Sequence, residues 1–273
     1  MIYKILFLSA LISFAVPFDD NDYGNLISYE LIDYKEYQEI LNTLLDVLNP
    51  VPYIQYSVSL YKITYATIDQ HGEHTIASGA VAIPDTQEYR PFLSFQHGTV
   101  VERNNTISQQ GFDIVSMWLG SAGYISLFPD YLGLGESEIF HPYQIYRPSA
   151  TAVRDMIRAT QNLLLESELN EIVNWNGQLF ITGYSEGGYT TLSAQKLMEE
   201  EHPYEFNITA SAPCAGAYDM SGVMYNLMMS EQPYDKPYYL PYVFFAYNDT
   251  YNFTNDVTDY LKDEYASILS DLF

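Results

Sequence analysis

Cysteine occurs once in the 273-residue chain, at Cys214. A single thiol excludes an internal disulfide framework and a cysteine-based zinc site. Its surroundings from Ala210 to Ala217 are small and largely apolar, which predicts a buried structural thiol. Basic residues are scarce: 11 Lys and Arg stand against 35 Asp and Glu, a formal charge of −24. A field of that sign repels phosphate backbones, so nucleic-acid binding is disfavoured. It also disfavours docking on anionic lipid. Beyond the N-terminus no apolar run is long enough to cross a bilayer, so stable membrane insertion is not expected. Nothing in the sequence implies a metal or an organic cofactor, and oligomeric state is not legible from it.

What is present is a chain able to fold. Hydrophobic residues make up 48% and include 27 Tyr, enough for a buried core. Neither an internal repeat nor a low-complexity linker divides it. The N-terminus reads as an export signal: Lys4, then the apolar run Ile5–Val16, with Ser13 and Ala15 as small residues for cleavage. Residues 1–15 are therefore expected to be a signal peptide. The protein is expected to be secreted, to an extracellular or periplasmic location.

The hydrophobic pattern then sets the architecture. Apolar spacing predicts a helix over Ser28–Leu48, stopped by Asn49-Pro50. Tyr53–Ile68 and Thr75–Ile83, with a turn at Asp69–Gly72, read as an antiparallel hairpin. From there strands and helices alternate. Short apolar runs lie at Phe92–Phe95, Tyr124–Phe128, Leu179–Thr182 and Asn207–Ala212. Helical patterns lie near Gly111–Leu119 and at Ala150–Leu165 and Gly187–Glu201. This alternation predicts an α/β fold: a mostly parallel sheet, an N-terminal antiparallel hairpin, and helices on both faces. Beyond Asp219 the rhythm breaks. Residues 220–260 are rich in Tyr, Pro, Met and Asn, the string Gln232–Tyr239 reads as irregular, and Val257–Leu272 looks helical.

The sharpest feature is Gly183-Tyr184-Ser185-Glu186-Gly187-Gly188, a G-x-S-x-G pattern between a predicted strand and a predicted helix. In that setting the serine sits on a crowded turn at the carboxyl end of the sheet, which requires small flanking residues such as Gly183 and Gly187. Ser185 is then the candidate nucleophile, and the amide of Glu186 faces a developing oxyanion. The competing reading is a glycine-rich turn with a spectator serine. Phe95-Gln96-His97-Gly98-Thr99 follows an earlier strand directly, and the amides of His97 or Gly98 are candidate oxyanion donors. Pro129–Ser137, then His141-Pro142-Tyr143, leave the end of another strand and so belong on the same face. Asp130 reads there as a turn residue bonding local backbone. Tyr131 and Tyr184 are candidate pocket residues, and His141 either borders the pocket or caps the loop.

In this order the motifs resemble the secreted lipase and esterase branch of the α/β-hydrolase superfamily. Gly24–Glu30, Tyr61–Tyr65, Ala77–Val81, Gln96–Thr99, Pro129–Ser137 and Gly216–Asp219 all contribute to the likeness. The resemblance implies a serine hydrolase acting on small-molecule or lipid carboxylic esters. It implies a hydrolase core over 16–219 and a partial lid or cap over 220–273.

One part of that pattern is missing. The family order is Ser, then Asp or Glu, then His. The only histidine after Ser185 is His202, at the far end of the following helix, and Asp219, Asp249, Asp256 and Asp259 fall at or within the expected cap. The last strands, acid and base are therefore expected beyond residue 273, and the chain as given is expected to be weak or inert. Two alternatives stand beside the esterase: an inert hydrolase-like binding protein, and a serine peptidase of the same fold.

Overall fold

The computed structural model describes residues 23–50, 52–165, 169, 173–231, 233–234 and 236–266. The predicted signal peptide lies outside them. Seven strands form one sheet: β1 (Leu26–Lys35), β2 (Val58–Ile68), β3 (His74–Pro84), β4 (Tyr89–Gln96), β5 (Ile125–Pro129), β6 (Asn174–Tyr184) and β7 (Ile208–Cys214). Their spatial order is β1-β2-β3-β5-β4-β6-β7. The pairs β1–β2, β2–β3 and β3–β5 are antiparallel, while β4 runs parallel to β5 and β6, and β6 to β7. Five strands thus point one way and β1 and β3 the other. This is the expected mostly parallel sheet with an antiparallel N-terminal part.

The principal helices are α1 (Tyr37–Val47), α2 (Ile114–Ser121), α3 (Tyr146–Leu165), α4 (Glu186–Glu201) and α5 (Tyr239–Tyr251). They cover both faces, and the strand alternation shows how. Tyr61, Ile63, Tyr65, Ala77, Val81 and Ile83 point to a core shared with Val153, Met156 and Ile157 of α3 and with Ala194 and Met198 of α4. Their neighbours Val58, Leu60, Ala80 and Ala82 point to the opposite core, with Ile40 and Leu44 of α1 and Met117 of α2. A strand covered on both faces has no polar phase, so it reads as a continuous apolar run. Each fully buried Leu or Ile contributes about 1.5–3 kcal/mol to this packing.

Two elements differ from expectation. The helix predicted over Ser28–Leu48 is correct only from Tyr37; Leu26–Lys35 is a strand, paired with β2 from Ser28↔Thr64 to Lys35↔Val58 with a register shift between Leu31 and Asp33. Its residues are largely exposed, including Leu31 at 52%, because β1 is an edge strand. Periodicity had no buried face to report there. The second is α5, which follows the Gln232–Tyr239 string expected to be irregular and for which no element was predicted. Its signals were local: Pro241 in the first turn, and Asn252 as a left-handed C-cap at φ +48°. Tyr242 and Ala246, one turn apart, bury against Tyr143. Of the helix expected over Val257–Leu272, the structure shows a 3-10 turn at Val257–Asp259 and helical backbone at 263–266; residues 267–272 lie outside the described ones.

Candidate active site

One residue makes the turn from β6 into α4, and it is Ser185. Its backbone stands at φ +60°, ψ −121°, where an L-residue is strained by roughly 1–3 kcal/mol. The turn holds because its surroundings leave no alternative. The Ser185 N–H donates to Cys214 O at 3.0 Å, and the Tyr189 N–H donates to Ser185 O at 3.2 Å. A Cβ on Gly183 would stand 2.4 Å from Gly187 O and 2.6 Å from Gln96 O. On Gly187 it would stand 1.9 Å from Gln96 O, and on Gly188 2.2 Å from Cys214 O. The ends of β4, β6 and β7 and the start of α4 therefore meet at bare-backbone distance. The Glu186 N–H lies in the first turn of α4, where helix geometry supplies no intrahelical acceptor.

The loop after β4 runs beside the serine. A Cβ on Gly98 would lie 3.8 Å from Ser185 Cβ and 3.5 Å from Tyr184 O. The His97 ring is fixed: Nδ1 contacts Gly98 O at 2.7 Å, and Nε2 contacts Asp130 O at 3.2 Å. The ring stacks on Tyr131, centroids 4.2 Å apart, and the Tyr131 hydroxyl donates to His97 O at 2.9 Å. Tyr131 thus supports the loop from beneath, at φ +72° and 2% exposed. Burial pushes its phenol well above the ordinary range.

Asp130 departs from its expected role as a backbone-bonding turn residue. It is 1% exposed, and its carboxylate accepts from the hydroxyls of Ser78 (2.6 Å) and Ser108 (2.5 Å). It ties β3 and the 106–110 segment to the end of β5. Burial raises its carboxyl above the ordinary range, against the two hydroxyls, which pull the other way. Cys214 also departs from expectation: it is exposed, on an edge strand rather than in the core.

His141 is buried and reaches the serine's neighbour. Its Nδ1 donates to Leu132 O at 2.6 Å, and its Nε2 lies 2.7 Å from Glu186 Oε1. Both side chains are nearly inaccessible, at 5% and 2%. No local pattern announces this pair, since the partners are 45 residues apart. Ser185 opens onto two cavities. One, of about 450 Å³, is lined by His97, Gly98, Thr99 and the largely exposed Tyr184. The other, of about 190 Å³, is lined by Glu186, Gln144, Met220, Met224 and Met228. Tyr239, at the start of α5, borders both. His141 lines a third, wider groove of about 800 Å³, with Thr99, Arg103 and Tyr242.

Each of the five histidines is engaged away from Ser185. His71 faces Asp249, His74 stacks on Tyr23, and His97 and His141 are held as above. His202 caps α4 and lies between Arg154 and Glu205. The 16 residues of α4 put it about 24 Å along the axis from the serine. Among the described residues no cluster of His, Cys, Asp and Glu could hold a metal ion.

Solved structures share this fold. A Legionella pneumophila protein provisionally described as a hydrolase matches at a TM-score of 0.80 and 28% identity, over 90% of this chain and 67% of its own. The rice cell wall degrading esterase LipA of Xanthomonas oryzae matches at 0.83 and 26%, over 92% and 66%. The chain carries the α/β-hydrolase fold. Candida antarctica lipase A shares that fold at a TM-score of 0.60 and 17% identity, over 92% of this chain and 55% of its own. The likeness to lipases and esterases seen in the motifs thus extends to the α/β-hydrolase sheet and its helices. No family model and no curated protein matches the chain. It spans about two-thirds of the length of the first two α/β-hydrolases named here. No helix among the described residues is long and apolar enough to cross a membrane.

Proposed function

We propose that this chain is the nucleophile-bearing part of a secreted serine hydrolase that cleaves carboxylic esters through an acyl-enzyme on Ser185. One observation carries the reading: a non-glycine residue held at φ +60° on a one-residue turn, at the carboxyl end of a parallel strand and the start of a helix. Strain of this kind persists where the surroundings over-determine it, and it clusters at functional sites. The esterase neighbours, one of which degrades plant cell wall, support ester chemistry and an extracellular setting.

In this mechanism Ser185 Oγ attacks the ester carbonyl as a base takes its proton. The carbonyl oxygen gains charge and is met by the Glu186 N–H and by an amide of the 97–98 loop. The dipole of α4 adds positive potential there. The alcohol leaves, and water then hydrolyses the acyl-serine. Residues 16–219 form the hydrolase core and 220–273 part of a lid, whose Met- and Tyr-rich side chains suit an apolar ester.

The triad acid and histidine belong to sequence that follows β7. Two facts support this. Among the described residues β7 pairs only with β6. The matched proteins are also longer, since the match covers 67% and 66% of their chains. Without its base the serine keeps the oxyanion donors and loses most of its activation. The test is steady-state ester hydrolysis by the purified chain. The reading expects rates far below ordinary enzymes. Turnover at roughly 1–1,000 per second, abolished by Ser185→Ala, would contradict the missing-base part. A stop codon directly after Phe273, confirmed on independent clones, would favour a hydrolase-like binding protein instead.

A further inference from the structure

The stretch that leaves β5 is a loop buried in the molecule. Tyr131, Leu132, Leu134, Ser137, His141 and Tyr143 are each at most 6% exposed. Connecting segments ordinarily run over the surface, where water satisfies their main-chain groups. This one is braced from within. The Asp130 N–H donates to Ser78 O at 3.0 Å, the Glu136 N–H to Ser78 Oγ at 2.9 Å and the Gly135 N–H to Arg103 O at 2.9 Å. At Gly133, φ +79°, a Cβ would stand 2.3 Å from His141 N, so the two ends of the loop touch.

Two of its side chains reach the two halves of the candidate oxyanion site. The Tyr131 hydroxyl donates to His97 O at 2.9 Å. A peptide is planar, so that bond also sets the direction of the Gly98 N–H. The His97 ring, through Nδ1 and Gly98 O at 2.7 Å, sets the next peptide in turn. On the other half, His141 Nε2 lies 2.7 Å from Glu186 Oε1 and pins the residue whose N–H is the second donor. His141 is itself held by Leu132 O at 2.6 Å. The Tyr131 ring stacks on both histidines, on His97 at 4.2 Å and on His141 at 6.1 Å, with interplanar angles of 28° and 11°.

We propose that Tyr131 and His141 are positioning residues that fix the separation between the two halves of the oxyanion site through this one braced loop. This rests on the reading of Ser185 as acyl acceptor. Neither side chain lines the two cavities onto which Ser185 opens, so each acts through a donor it holds. Well-packed apolar side chains could hold the loop as firmly as a buried polar pair. What the polar contacts add is direction, and a developing oxyanion is stabilised only by donors already aimed at it.

The test labels the full chain with diisopropyl fluorophosphate. Ser185 Oγ bonds to phosphorus as fluoride leaves and the serine proton passes to solvent. The phosphoryl oxygen of the adduct then stands where the oxyanion would develop, so its ³¹P resonance reports the donors. The same adduct unfolded in urea gives the resonance without them. Tyr131→Phe removes only the hydroxyl that holds His97 O. It is expected to move the resonance toward the unfolded value and to slow labelling about tenfold. His141→Leu should do the same. His141→Gln, whose amide nitrogen can still donate to Glu186, should recover most of the loss. Thr160→Val removes a buried hydroxyl bond of the same kind, to Met156 O within α3, and should move neither readout. Either Tyr131→Phe or His141→Leu, folded and keeping the parent's resonance and rate, overturns the proposal, as does an equal response to Thr160→Val. In those cases the labelled serine still supports the hydrolase reading. No labelling of the folded parent chain refutes that reading, and this inference with it.

Discussion

Ser185 stores strain where a glycine would store none. At φ +60° and ψ −121° the Cβ is the source of the cost, so replacements should rank by their tolerance of that backbone. Ser185→Gly is expected to be more stable than Ser185→Ala by about 1 kcal/mol in urea unfolding. Equal stability would mean the turn is relaxed and the serine ordinary. Asp130 offers a second test. Its buried carboxyl titrates above its usual 3.8 in the folded chain and near 3.8 in the unfolded one. Between those two values the folded state binds more protons, so stability falls as pH rises. The stability of the parent chain minus that of Asp130→Asn should decline across this window. A rising difference would contradict the burial of the charge. The flanking glycines and the serine were legible in sequence because steric crowding leaves a compositional trace. The Glu186–His141 pair left none, since its partners meet only through the tertiary fold.

At the scale of elements, the site is a junction of three strand ends and a helix start, and Gly187 is its tightest point. Gly187→Ala would put a Cβ 1.9 Å from Gln96 O, forcing β4 and α4 apart. The expected cost is about 3 kcal/mol, with weakened exchange protection at the ends of β4 and β6. A loss under 0.5 kcal/mol would show that the junction yields. Legibility at this scale followed burial. Strands and helices of the two-faced core were visible, because their apolar spacing reflects real burial. β1 was missed because an edge strand gains its order from main-chain bonds to β2. α5 was missed because its rings obscured a pattern held by Tyr242, Val243 and Ala246.

At the scale of the whole molecule, β7 is the weak margin. Along its length Thr209, Ala210 and Ala212 are exposed, and among the described residues only β6 pairs with it. An unpaired edge in a parallel sheet invites pairing with another chain, even at a formal charge of −24. Concentration-dependent association is expected in sedimentation velocity, reduced by Ala210→Lys. Association unaltered by that change would place the contact elsewhere. The same margin is where the proposed acid and base would enter, so the chain's architecture and its expected inertness have one physical origin.

The central claim is that Ser185 is an acyl-accepting nucleophile. Incubation of the folded chain with a fluorophosphonate, followed by intact mass and peptide mapping, tests it most directly. The account predicts one adduct per chain, slow to form, located on Ser185 and absent from Ser185→Ala. No adduct in a folded sample after prolonged exposure, or adducts scattered over other hydroxyls, would contradict it.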